Sequence, residues 1–194
     1  GFQGLSSLVS VTLPTDLESI DDETFDGCLA LKAINLAYLP KLRRVGARAF
    51  RGCSSLAQAE IPAGVESIGD ECFSGDRSFN EATIPDSVIT IGRDIFAGCE
   101  SITRLRTPFL GKNDQEPEGC SYFFSKEDAT LGKACLREIT IARGKSLAPS
   151  AFEDYRELVS ATLPTGLEEV GDKAFFGCSS LSNVSLGVGT HRIG

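Results

Sequence analysis

The stretch AFRGCSSLAQAEIPAGVESIGDECF, Ala49 to Phe73, opens and closes on the same signature, Ala or Cys followed by Phe. Near the far end of the chain stands AFFGCSSLSNVSLG, beginning at Ala174. Working outward from the shared AF-x-GCSSL, equivalent phenylalanines fall at Phe2, Phe25, Phe50, Phe73, Phe96, Phe152 and Phe175. Their spacings are 23, 25, 23, 23, 56 and 23 residues. Strand-like segments confirm the period: LVSVTLP from Leu8, LKAINL from Leu31, LAQAEIP from Leu56, FNEATIP from Phe79, ITRLRTP from Ile102, LREITIA from Leu136, LVSATLP from Leu158 and LSNVSLG from Leu181. That makes about eight units of ~23 residues, the fifth lengthened within 109–135. A fixed period in this range is the mark of a repeat architecture.

One such unit has too few apolar residues to bury a core alone, whereas stacked units share one. Side chains alternate on a strand. In LVSVTLP, Leu8, Val11 and Leu13 therefore point inward, and Ser10 and Thr12 outward. Proline closes the strand at Pro14, Pro62, Pro85, Pro108 and Pro164, because it cannot donate to the ladder. A second apolar signature follows (LESID, LRRVG, VESIG, VITIG, LEEVG), and its glycines Gly46, Gly69, Gly92 and Gly171 suit a bend with positive φ. The expected fold is a repeat solenoid. A parallel sheet lies on one face, with short second strands and helical turns holding Ala-Phe on the other. Eight coils at strand spacing would span roughly 35 Å.

The unit L-x-x-I-x-(L/I)-P-x-x-(V/L)-x-x-(I/V)-G-x-x-(A/C)-F-x-G-C resembles the BspA-type, or Treponema-type, leucine-rich repeat. The extended unit, TPFLGKNDQEPEGCSYFFSKEDATLGKACLREITIARG, resembles a variant within that family. Asp76 and Tyr155 depart from it by replacing the cysteine, and the second unit lacks proline directly after its strand. The resemblance implies a right-handed solenoid on secreted or cell-surface proteins of bacteria and some protists, with adhesion as the usual role.

The net charge of −8 and the pI near 4.8 argue against a nucleic-acid partner, which needs basic surface. No run of 18 apolar residues is present to span a membrane. The chain has no methionine and no signal peptide, so it reads as residues 1–194 of one leucine-rich-repeat domain excised from a longer extracellular protein. Neither end shows an obvious polar cap, which suits a fragment of a longer array or end-to-end self-association.

Seven cysteines outside the cell would ordinarily suggest disulfides. Yet Cys28, Cys53, Cys99 and Cys178 share one repeat position, and stacked equivalents point the same way at strand spacing. They are expected to be free thiols acting as small apolar fillers. Cys72 fills the slot that Ala49 and Ala174 fill elsewhere. Cys120 and Cys135, in the extended unit, are the one pair placed to bridge. No CxxC pair is present, and cofactors and metals are expected to be absent. Calcium at Asp21, Asp22 and Glu23 is the weaker reading beside an ion-pair edge in which Glu23, Arg48 and Glu71 form a column and Asp70 neighbours Arg93.

Catalysis is disfavoured. The lone histidine is His191, and no GxSxG, HExxH or P-loop is present. A carboxylate pair such as Glu60 with Glu81 would need an enclosed pocket that a solenoid face seldom offers. The candidate recognition surface is the polar loop of the extended unit, GKNDQEPEG from Gly111 to Gly119, or the outward strand face. Its first column reads Ser10, Ala33, Gln58, Glu81, Arg104, Glu138, Ser160, Asn183, and its second Thr12, Asn35, Glu60, Thr83, Arg106, Thr140, Thr162, Ser185. The middle carries both signs of charge, and arginine favours interfaces. The candidate ligand-binding residues are Gln58, Glu60, Glu81, Thr83, Arg104, Arg106 and Glu138, together with Tyr122 on the extended unit, where exposure is expected. Phe123 or Phe124 is expected to plug the core there. The resulting expectation is a non-catalytic adhesion module for extracellular or host proteins, with glycans as a further ligand class. The alternative is a spacer that presents another domain.

Overall fold

A computed structural model describes residues 1–57, 60–125 and 133–194. Every strand pairing within it is parallel, and each joins neighbouring coils. The first ladder contains Ser10–Val11 beside Ala33–Ile34, and then Glu81–Thr83, Arg104–Thr107, Glu138–Ile141, Ser160–Thr162 and Asn183–Ser185. The second contains Ser19–Ile20, Arg44–Val45, Ser67–Ile68 and Thr90–Ile91, and then Ser146–Leu147, Glu169–Val170 and Arg192–Ile193. The chain is therefore a solenoid of about eight coils, with its core between the two ladders.

Register follows the repeat. Glu81 lies beside Arg104, Arg104 beside Glu138, and Ser160 between Glu138 and Asn183. Alternation holds as expected: in Glu81–Thr83 only Ala82 is buried.

The repeat phenylalanines make a column through the core. Phe2, Phe25, Phe50 and Phe73 stack nearly parallel, with centroids 5.3, 5.3 and 5.5 Å apart. Phe96 follows at 6.1 Å and Phe124 at 6.0 Å, the latter tilted by 40°. Phe124 thus takes the repeat position in the extended unit. Beyond that unit the column resumes with Phe152 and Phe175 at 5.2 Å. Offset stacking of this kind adds to the area each ring buries.

The cysteine column does more than fill space. Cys28, Cys53, Cys99 and Cys178 are free, and each thiol donates to the carbonyl of a phenylalanine one coil back. The Sγ–O distances run from 3.0 to 3.3 Å. Cys120 and Cys135 are likewise not bridged, and Cys120 is paired with the buried Tyr155. Burial pushes the Cys53 and Cys99 thiols up to about 12, so they are inert as nucleophiles.

Two conformational columns differ from expectation. Gly46, Gly69, Gly92 and Gly171 do not have positive φ. Glycine is needed there because the previous coil lies so close. A Cβ on Gly46 would sit 2.5 Å from Asp22 N and one on Gly171 2.6 Å from Pro149 N, with Gly69 and Gly92 closer still to Ala47 and Asp70. Positive φ falls instead on the glycine before each cysteine of the shared column, as at Gly52 (71°), and on a second column that never uses glycine. Glu23, Arg48, Glu71, Asp94, Ser150 and Lys173 all turn left-handed at 52–58°.

Asp76 replaces a cysteine of the column and is fully buried. Its Oδ1 accepts from Ser78 N at 3.0 Å, while Oδ2 has no partner. Burial raises its pKa from 3.8 to about 7, against the lowering effect of bonds from the Ser78 and Phe79 amides.

Two predictions follow from these packed positions. Gly69→Ala should lower stability by more than about 3 kcal/mol, since backbone must move, whereas Gly52→Ala should cost about 1–2 kcal/mol for its left-handed conformation. Equilibrium urea denaturation of both variants checks the order. For Asp76 the folded pKa lies above the unfolded one. Its contribution is therefore fully present below pH 3.8 and lost as pH rises through about 7. At 1.36 kcal/mol per tenfold change, the full loss amounts to about 4 kcal/mol. Asp76→Cys should flatten the stability profile between pH 5 and pH 8 in the same measurement, and an unchanged slope would remove Asp76 as its cause.

Candidate functional site

The strand face carries the candidate residues at every second position, because alternation turns the intervening apolar side chains into the core. Glu60, Glu81, Thr83, Arg104 and Glu138 are exposed on it, and Arg106 is half-buried. Gln58 lies outside the described residues.

The charges form a bonded row across three coils. Arg104 donates to Glu81 at 2.6 Å and reaches Glu138 at 3.3 Å. These two carboxylates hold the guanidinium pKa above its ordinary value, with the Glu81 hydrogen bond the larger cause. Arg106 turns the other way. It pairs bidentately with Asp86 at 2.9 and 2.8 Å, and this pairing lowers the Asp86 carboxyl. Asp86 follows Pro85 beyond the strand, where the alternation of outward columns no longer identifies it. Glu60 has no ion-pair or hydrogen-bond partner among the described residues, so it is not joined to Glu81 in a carboxylate pair.

Tyr122 is buried, at 4 % exposure, contrary to the expected exposure. Its hydroxyl donates to Ile91 O at 3.0 Å, and the Arg93 guanidinium lies 4.7 Å from its ring. The cause is backbone register. Asp94 N donates to Tyr122 O and Phe96 N to Phe123 O, so the short helix Ser121–Phe124 takes the place of a repeat turn and Tyr122 packs against the coil before it. The loop preceding it is held by Arg143. This side chain bonds Asp86 O at 2.6 Å and Val88 O at 2.5 Å, meets Asp114 at 3.4 Å and covers the Phe109 ring at 5.0 Å.

On the bend edge, Glu23 pairs with Arg48 at 2.5 Å, and Arg48 reaches Glu71 at 3.9 Å, as the column predicts. Arg51 adds a bidentate pair with Asp26. Asp70 meets the Arg93 backbone N–H, at 2.8 Å, rather than its guanidinium. Asp22 does the same for Ala47 N at 2.9 Å and also accepts from Arg44 at 2.7 Å. Arg44 also reaches Asp21 at 3.7 Å, so Asp21 and Asp22 share one arginine while Glu23 takes another, and no group of three metal-ligating side chains occurs among the described residues.

A feature of the same face that column-reading passes over is Tyr38. The second unit carries two extra residues and no proline, and Leu36–Tyr38 there forms a 3-10 turn. Asn35, expected to point outward freely, instead accepts from Leu13 N at 2.7 Å and donates to Leu13 O at 3.0 Å. The unit length of 25 rather than 23 was the available signal.

These coils define a leucine-rich-repeat solenoid whose accessible sites are surface positions on its parallel strands. The model of the BspA type leucine rich repeat region matches residues 1–112 and 128–194 in six copies, and the chain belongs to that family. It is similar to the leucine-rich repeat protein of T. pallidum at 28 % identity and a TM-score of 0.52, over 93 % of this chain and 68 % of that one. A leucine-rich repeat protein of Eubacterium ventriosum shares the fold at 20 % identity and a TM-score of 0.59, over 96 % of this chain and 57 % of its own. This chain therefore spans about three-fifths to two-thirds of the length of these relatives. No curated protein matches it.

Exposed ion pairs contribute little to stability. Arg104→Ala should accordingly lower unfolding free energy by less than about 1 kcal/mol in urea denaturation. A larger loss would mean that the row holds the coils together.

Proposed function

We propose that this chain is a non-catalytic recognition and adhesion module, outside the cell or at its surface, that engages an extracellular or host protein through its strand face. One observation carries the reading. The Glu81–Arg104–Glu138 row presents alternating charge at fixed register on a rigid sheet. Alternating charge on a fixed frame gives orientation and partner discrimination more than raw affinity. Thr83, Glu60 and Arg106 extend the same surface, whereas Tyr122, buried in its turn, does not take part.

The second reading is a spacer that presents another domain, and the same row favours it in one respect. Its charges already satisfy each other, so a partner must compete with internal pairs. The end coils also expose apolar side chains, Phe2 and Leu5 at one end and Leu186 and Ile193 at the other. Stacking of further coils or a second copy onto these faces belongs to this proposal.

Binding of the purified chain to immobilised matrix proteins and whole cells separates the two. The comparison is Arg104→Glu/Arg106→Glu, matched for thermal stability, with the oligomeric state followed by sedimentation. Binding that falls at least about tenfold in the variant supports recognition by this face. Equal binding by both proteins would overturn recognition by this face, and no binding at high micromolar concentration would overturn recognition in favour of the spacer.

A further inference from the structure

A lone exposed aromatic is ordinary on a protein surface, but the setting of Tyr38 is not. Its ring is 76 % exposed on a turn that is otherwise fixed. Leu36 and Leu39 on either side are buried in the core, and Asn35 ties the base of the turn to the coil before it. The ring therefore projects from a rigid mount, and little conformational entropy is lost on contact.

Beside it lies a hollow of about 300 Å³. This is the lower end of the range for small-molecule sites. Its described lining includes Ala33, Ala37 and Ala57, Tyr38, and the two charged residues Lys32 and Glu60. Both residues are exposed, and neither side chain has an ion-pair or hydrogen-bond partner among the described residues. They differ in this from Glu81, Arg104 and Glu138, which satisfy one another.

We propose that this hollow is a subsite for one neutral, polyhydroxylated sugar ring, resting on the reading that the strand face is the recognition face. An aromatic side chain beside small apolar residues suits a ligand with an apolar C–H face. One donor, Lys32, and one acceptor, Glu60, suit hydroxyl groups, each of which both donates and accepts. An anionic ligand would meet Glu60 and a cationic one Lys32, so a single net charge of either sign gains from one and loses to the other. A neutral polyol satisfies both. Tyr38 supplies the stacking surface, Glu60 accepts from the ring hydroxyls and Lys32 donates to them.

The protein carries its own reporter. It has three tyrosines and no tryptophan, and Tyr122 and Tyr155 are buried. Acrylamide-quenchable tyrosine fluorescence and mobile tyrosine ring signals therefore belong to Tyr38. The experiment titrates the whole chain with methyl glycosides of glucose, galactose, mannose and N-acetylglucosamine. Concentrations run to about 10 mM, above the affinity of a weak single-ring site. Saturation-transfer NMR and Tyr38 ring shifts give the readout. At least one glycoside should bind and protect Tyr38 from quenching. Tyr38→Ala should weaken it about tenfold, Tyr38→Phe should largely retain it, and Glu60→Gln should weaken it several-fold.

No perturbation of Tyr38 by any glycoside overturns the subsite, as does a glycoside signal that survives in Tyr38→Ala. A shift of Tyr38 by a proline-rich peptide or glycylglycine instead of a glycoside also overturns it. The protein-binding comparison with Arg104→Glu/Arg106→Glu is read separately. Protein binding without a glycoside signal removes this subsite and leaves recognition by the face intact, whereas a glycoside signal without protein binding does the reverse.

Discussion

The distance from one coil to the next governs this structure. Parallel hydrogen bonding fixes neighbouring strands about 4.8 Å apart, and every other column must accept a spacing close to that. Phenylalanine rings can, by stacking with their centroids 5.2 to 6.1 Å apart. Cysteine can, because its thiol reaches the carbonyl one coil back. At the bend after the second strand only glycine can, since a Cβ there would enter the backbone of the coil before it. The unit thus repeats its residue types because it repeats one contact distance.

That constraint explains what could be read from the sequence. Period and register are consequences of identical rungs, so spacing alone recovers them. Ser10, Ala33, Glu81, Arg104 and Glu138 lie in the order the alignment gives. The free thiols follow too, because equivalent cysteines on parallel rungs cannot turn toward each other.

The parts that were not readable are those in which neighbouring coils differ or the backbone decides. A glycine required by close approach looks, in sequence, like one required by positive φ, so Gly46 and Gly69 were given the wrong reason. The left-handed column from Glu23 to Lys173 carries no glycine and leaves no compositional trace. Tyr122 followed a polar loop and resembled part of it, yet backbone bonds from Asp94 and Phe96 fold its segment into a rung. Asp86 and Arg143 act from beyond the strands, where alternation says nothing about direction.

These failures bear on function. In a stack of near-identical coils, a residue on the regular columns has a neighbour of fixed geometry on each side, and opposite charges placed there pair with one another, as Glu81, Arg104 and Glu138 do. Uncommitted chemistry accumulates where the period breaks. The two extra residues of the second unit lift Tyr38 out of the sheet, with the Lys32 and Glu60 side chains nearby unpaired among the described residues. The extended fifth unit breaks the period as well, but spends its aromatic residues on the core: Tyr122, Phe123 and Phe124 are all buried. Length alone therefore does not make an insertion a site. What separates the two is whether the added residues complete a rung, as Tyr122 to Phe124 do, or stand off one, as Tyr38 does.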